Sequence, residues 1–166
     1  TQFTISATSP GELLRNIVEL IVERFGYYYT SVFLADEAQQ FAALSEASGT
    51  SQLAQVSKGY RLERGSNSII GWVMEKRQPY VAGDVHKDER YLQVDGLPDT
   101  RSEVALPIVM GDKLFGVLDI QHTISDAFDP ETVSILQTIA NHIASAPAPP
   151  AIVLMASNRG GTPQPG

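Results

Sequence analysis

The sequence predicts an α+β domain organised on a central antiparallel sheet, and three observations carry that expectation. From Ser102 to Gln121 two strand-like apolar runs face each other across an evident turn. Near each end of the chain, Pro10 to Phe25 and Pro130 to Ala146 space their apolar residues at helical intervals. Between these helices lie short runs dense in aromatic and β-branched residues, the composition of strands.

In the central hairpin Val104, Leu106 and Ile108 alternate with Ala105, Pro107 and Val109, and Leu114, Val117 and Ile120 recur among Phe115, Gly116, Leu118 and Asp119. Both arms are apolar at nearly every position, as a strand covered on two faces requires. Gly111-Asp112 supplies the tight loop: a residue that takes positive φ without steric cost, then a short polar one. Pro107 donates no backbone hydrogen bond, so it belongs at a bulge or against an unpaired edge. Gly116, expected opposite it, would let a helix or a ligand approach the sheet closely.

Ser9-Pro10-Gly11-Glu12 reads as a capping box with Pro at the first helical position, opening a helix that Gly26 ends. Leu13, Leu14, Ile17, Leu20 and Ile21 share its stripe; Val18, Val22 and Phe25 widen it beyond one contact. Strands are expected at Tyr27 to Leu34 and Phe41 to Ala47, paired as a hairpin across Asp36 to Gln40. A short helix, Gln52 to Lys58, precedes a third strand at Tyr60 to Leu62. The capping-rich loop Glu63 to Ser68 leads into the helix Ile69 to Lys76, where Gly71 allows close packing, and Tyr80 to Ala82 forms a fourth strand. Gly83 to Arg101 is long and polar, with one helical turn expected at Glu89 to Leu92; loops of that length in a small domain are lids, binding loops or disordered. After the hairpin, Asp129 caps the last helix, with Pro130 at its first position and Glu131 in the favourable first turn. From Pro147 to Gly166 the Pro- and Gly-rich composition reads as a flexible tail or linker, separate from a domain at 1–146.

A chain of 166 residues is about one domain. It contains no cysteine, which removes disulfides, thiolate catalysis, zinc-cysteine sites and thioether-linked chromophores. It fits a reducing cytoplasm. A net charge of -7 with 12 Lys and Arg provides no basic stripe for nucleic acid, and no apolar run is long enough to span a membrane. The first residue is Thr1 rather than Met, so the chain is expected to be a piece of a longer protein.

Four stretches carry a resemblance to the GAF domain, the PAS-like sensor domain of signalling proteins: SVFLAD, GSNSIIGWVMEKRQPYVAGDVHKDERYL, LPDTRSEVALPIVMGDKLFGVLDIQ and AFDPETVSILQTIANHIA. Together they span roughly Pro10 to Ala146. The resemblance implies a sheet of five or six antiparallel strands, with the terminal helices on one face. On the other face, short helices and the long loop would enclose a ligand pocket. It also implies a homodimer through helices 10–25 and 130–146, and an output domain, such as a histidine kinase or a cyclase, outside this stretch. In the family the last helix often continues as a connector, whereas here Pro147 and Pro149 stop it.

GAF proteins that attach bilins or reduce free methionine sulfoxide use cysteines, which this chain lacks. The cyclic-nucleotide-binding members carry an Asn-Lys, Phe, Asp-Glu pattern that the run Phe33 to Glu37 does not match in spacing or strand. His86, His122 and His142 lie too far apart for a helical metal site; His86 is read as a loop residue, the other two as surface or interface residues. The pocket candidates are Trp72, Tyr80, Asp84, Tyr91, Arg101 and Glu103, with Phe33 and Tyr60 from the sheet: a few directional groups among aromatic walls. The same residues equally describe a packed core with a buried Arg101–Glu103 pair. The amides of Gly65 to Ser68 open a helix and are a place for an anion, though ordinary capping accounts for them too. The expectation is a cytoplasmic, non-catalytic sensor of an unidentified small molecule, with a ligand-free dimerisation module as the alternative. An enzyme would have only the carboxylates Asp84 and Glu103 behind it.

Overall fold

The computed structural model describes residues 2–6, 9–51, 55–56, 59–145 and 151–155. Among them run β1 (Gln2–Ser6), α1 (Pro10–Phe25), β2 (Tyr29–Ala35), β3 (Phe41–Gly49), β4 (Arg61–Glu63), α2 (Ile69–Lys76), β5 (Tyr80–Ala82), a 3-10 turn (Val85–Lys87), β6 (Ser102–Met110), β7 (Lys113–His122), α3 (Pro130–Ser145) and β8 (Ala151–Met155). Six strands form one antiparallel sheet in the order β4-β3-β2-β7-β6-β5. β1 and β8 pair antiparallel as a separate ribbon. β8 falls within the stretch read as a flexible tail, where Ala151 to Met155 is a short run rich in β-formers between prolines; residues 146–150 and 156–166 of that stretch lie outside the described residues.

Local chemistry sets the element boundaries. The Ser9 hydroxyl accepts from the Glu12 amide at 3.2 Å to start α1, and Gly26 ends it at φ 74°. Ser68 caps α2 by accepting from the Gly71 amide at 2.9 Å. A side chain at 71 would collide with the Ser66 and Ser68 hydroxyls and the Glu63 carbonyl, so glycine is required there. Asp129 accepts from Thr132 at 2.8 Å at the start of α3. Gly111, at φ 61°, makes the turn between β6 and β7.

Three sequence expectations need correction. Pro107 pairs with Val117, and Gly116 sits opposite Ile108 instead, beside a register shift at Ile108/Val109. The close approach at Gly116 is neither helix nor ligand: an added Cβ would lie 2.1 Å from the Phe33 carbonyl oxygen, so it is β2 that comes near. In the long loop the helical turn is at Val85–Lys87, where Asp84 accepts from the His86 amide, and Glu89–Arg90 is only a turn. Of the helix expected at Gln52 to Lys58, Gln55 and Val56 are helical, and 52–54, 57 and 58 lie outside the described residues.

The period of two along each strand sorts the sheet into two faces. Val32, Val104, Leu106, Ile108, Leu118 and Ile120 pack against Leu13, Leu14, Ile17, Val18 and Ile21 of α1 and Leu136, Ile139, Ala140 and Ile143 of α3. Burying each large aliphatic side chain there contributes roughly 1.5–3 kcal/mol. Val18 belongs to this core, so much of the breadth of α1's apolar stripe is used within the chain; Val22 and Ile135 stay partly exposed. On the opposite face Phe33, Ala105 and Val117 pack with Leu44 and with Ile69, Ile70, Val73 and Met74 of α2.

Candidate functional site

The face beneath α2 and the long loop is not uniformly apolar. Register places Ser31, Asp119 and Ala105 in one cross-strand row, and Tyr29, Gln121 and Glu103 in the next. Glu103 and Asp119 are therefore diagonal neighbours on adjacent strands. They are 5% and 3% exposed, and the two carboxyls hydrogen-bond each other. Gln121 donates to Asp119 Oδ2 at 3.2 Å and accepts from the Thr100 hydroxyl at 2.8 Å. Thr100 in turn is bonded to the Tyr91 phenol. One network thus runs from the long loop through β7 to β6.

Two small cavities, of about 30 and 20 Å³, open on this network and share Phe33, Tyr60, Val94, Asp119 and Gln121 as walls. The first also touches Glu103, Ser68, Leu92 and Leu62; the second touches Tyr29, Ser31 and Gln55. A space of that size holds about one or two waters or a small polar group. The loop above is anchored: Leu97 is 1% exposed, the Ser51 hydroxyl donates to the Gly96 carbonyl, and the Val85 amide donates to Arg101 O. A larger groove, about 280 Å³, lies at the other end of the sheet between Leu34, Gln39, Met110, Lys113 and Phe115. It is the roomier of the two, yet it touches none of the buried unpaired polar atoms, and Gln39 is spent bridging both backbone groups of Leu114. We place the candidate site at the carboxyl pair.

Burial governs the electrostatics. Desolvation, then the charge of Asp119, the hydrogen bond to it and the charge of Asp88 push Glu103 well above the usual carboxylate range. Burial also raises Asp119, against hydrogen bonds from Glu103 and Gln121 that hold it down. The pair therefore holds a proton above the usual carboxylate range, with Glu103 the member raised more and Asp119 the one held down by hydrogen bonds. Burial, with the two carboxyls adding, raises Tyr60; Tyr29 rises mainly by burial and the charge of Asp119. None of the interactions that shift either carboxyl comes from Lys, Arg or His.

Of the residues singled out from sequence, the structure brings together Phe33, Tyr60 and Glu103 as cavity walls, with Phe33 and Tyr60 edge to face at 5.9 Å. Tyr91 joins through Thr100. Trp72 and Tyr80 pack on each other at 5.1 Å outside the cavity, and Tyr80 donates to Asp88 Oδ2 at 2.7 Å. Asp84 caps the 3-10 turn. Arg101 is exposed, so the buried Arg101–Glu103 pair does not form: the partner of Glu103 is Asp119, an acid. The Gly65, Ser66 and Ser68 amides are spent on the Gly71, Glu63 and Ser66 carbonyls, so three of the four amides suggested for an anion serve the loop itself. His122 packs edge-on to Tyr27 at 5.2 Å with Nδ1 buried, rather than lying at a free surface. No cluster of metal-ligating side chains occurs among the described residues. Asp119, Gln121, Thr100 and Ser31 were missed. Their signal was the alternation of Asp119 and Gln121 with Leu118 and Ile120 in a run otherwise apolar on both faces.

The fold and site define a small α+β domain that encloses a polar cavity between its sheet and a long loop. The family model for the GAF domain matches residues 9–146, and the chain belongs to that family. The GAF domain of a phosphoenolpyruvate-protein phosphotransferase from Coxiella burnetii is 27% identical, with TM-score 0.75 over 84% of this chain and 82% of that one. Its Acinetobacter counterpart is 23% identical, with TM-score 0.71 over 84% and 82%. Free methionine-R-sulfoxide reductase from Neisseria meningitidis, solved with its substrate, is 25% identical, with TM-score 0.70 over 82% and 77%. No curated protein matches. The reductase corrects the expectation of a chain that is not an enzyme: a similar fold, at similar identity, catalyses a reaction, so the fold gives no ground for ruling catalysis out. Among the described residues no helix is long and apolar enough to cross a membrane.

Proposed function

We propose that this GAF domain is a cytoplasmic regulatory module of signal transduction that binds a small molecule beneath the loop 83–101. The observation that carries the reading is the carboxyl pair Glu103–Asp119, which lines a cavity although its burial is costly and a packed apolar row would serve stability as well. A route for the signal exists in the same strands. Asp119 faces the cavity, while its chain neighbours Leu118 and Ile120 pack against the terminal helices. Occupancy would shift β6 and β7 and with them the seating of α1 and α3. A homodimer through helices 10–25 and 130–146, supported by the partly exposed Val22 and Ile135, and an output domain such as a histidine kinase or a cyclase complete the proposal. The Coxiella relative, a GAF domain from a phosphotransferase, fits a regulatory setting.

Native mass spectra before and after denaturation test this reading. The expected result is an adduct that is lost on unfolding, or a thermal shift with a fraction of cell extract. A protein that stays bare and unshifted would overturn it. Sedimentation at micromolar concentration tests the dimer.

A further inference from the structure

The structure carries an inference about ligand class, and it rests on the ligand-site reading above. Asp119 Oδ1 is buried and meets no N–H or hydroxyl donor among the described residues. The carboxyl beside it, Glu103, can donate only while it holds a proton. One row neighbour offers a second acceptor: the Ser31 hydroxyl, 0% exposed, meets the Tyr29 phenol only at the margin of hydrogen-bond geometry, which leaves its oxygen able to accept. Both residues line the second cavity, and Asp119 lines the first as well. A buried acceptor without a donor costs about 1–3 kcal/mol, more when charged, so the site is complementary to a group rich in N–H donors and positive charge.

We propose that the two cavities, which share Asp119 as a wall, together receive the ammonium group of a small primary amine, held by Asp119 Oδ1 with Ser31 Oγ on the side of the second cavity and the Glu103 carboxylate on the side of the first. An ammonium offers three donors and one positive charge, which matches these acceptors and offsets the charge that Glu103 gains on losing its proton, so the buried net charge does not grow. A short apolar stem would leave past Leu92 and Val94, the loop residues in the wall. A quaternary ammonium lacks the donors, and an anion would meet Asp119.

Binding exchanges a cation for a proton. Glu103 gives its proton to the buffer as the amine enters, so affinity rises with pH while the amine remains protonated. The other ionisable groups that act on the pair are Asp88 and the phenols Tyr29, Tyr60 and Tyr91. Asp88 is a carboxylate, and burial raises each phenol, so none supplies a competing cation.

The test uses n-propylammonium, with propionamide and propionate as isosteres, at constant ionic strength. Thermal shift and calorimetry in two buffers of different ionisation enthalpy are the readouts. The expected result is a shift with the amine alone, proton release on binding, and at least tenfold weaker binding in Asp119→Asn. Ser31→Ala, checked for folding by circular dichroism, should weaken binding less and covers the case in which Asp119→Asn does not fold. Equal shifts with the amide, no shift with the amine, or binding indifferent to both substitutions would overturn the inference. If propionate or propionamide binds instead and Asp119→Asn abolishes it, the cavity remains a ligand site and only the amine assignment falls.

Discussion

The two faces of the sheet are built from the same three strands and differ in what they bury. Toward α1 and α3, β2, β6 and β7 present Val32, Val104, Leu106, Ile108, Leu118 and Ile120, each 0% exposed. Toward α2 and the long loop, the alternate positions present Ser31, Glu103, Asp119 and Gln121, buried almost as deeply but polar. Burial alone therefore does not separate core from site. The first face gains from every methylene it hides and buries one unpaired hydroxyl, that of Thr30, whereas the polar rows of the second must offset desolvation with hydrogen bonds, and there Asp119 Oδ1 meets no N–H or hydroxyl donor among the described residues. We read the first face as the source of stability and the second as the place where stability is given up for binding.

Substitutions can break or sharpen this contrast. The largest effect is expected on the helix side: Leu118→Ala should destabilise by about 2–5 kcal/mol in urea denaturation and leave ligand binding to the folded protein intact. A loss under 1 kcal/mol would remove the contrast. Gly116→Ala comes next, at about 1–3 kcal/mol, because its Cβ would press on the Phe33 carbonyl, which belongs to backbone and cannot swing away. Ser68→Ala removes the cap of α2 and should cost about 1 kcal/mol, with Ser68→Asp recovering part of it.

The smallest effect on stability is expected within the site, as a pH dependence. The folded protein holds the Glu103 proton more tightly than the unfolded chain does. The contribution is full below its ordinary value of 4.5 and is lost as pH rises through the raised folded value. Wild-type stability relative to Glu103→Gln should therefore fall as pH rises above 4.5, and Asp119, also raised, acts with the same sign. Denaturation curves from pH 4.5 to pH 8 on both proteins would check it; parallel pH profiles would show that Glu103 does not hold the proton.

Much of the fold was legible because its signals are local. Ser9, Gly26, Ser68, Gly111 and Asp129 each act within a few residues of themselves, and the bounds of α2 and β5 follow directly. What failed depends on contacts distant in sequence. Whether Pro107 or Ile108 faces Gly116 turns on a one-residue register shift, and what crowds Gly116 is a strand some eighty positions earlier. The site was half legible for the same reason. Glu103 stood out as an acid beside an apolar arm, but its partner was sought in the adjacent Arg101, which points to solvent. The actual partner, Asp119, is brought alongside by cross-strand pairing and was read only as part of an apolar run.

The most direct measurement of the central claim is the stability of the double variant Glu103→Gln/Asp119→Asn against wild type, by urea denaturation at pH 7 without ligand. If the pair serves binding at the expense of stability, the amides, of nearly the same shape, should leave the protein as stable or more stable. A loss of about 3 kcal/mol or more, as for a broken structural pair, would contradict the account and make Glu103 and Asp119 part of the core.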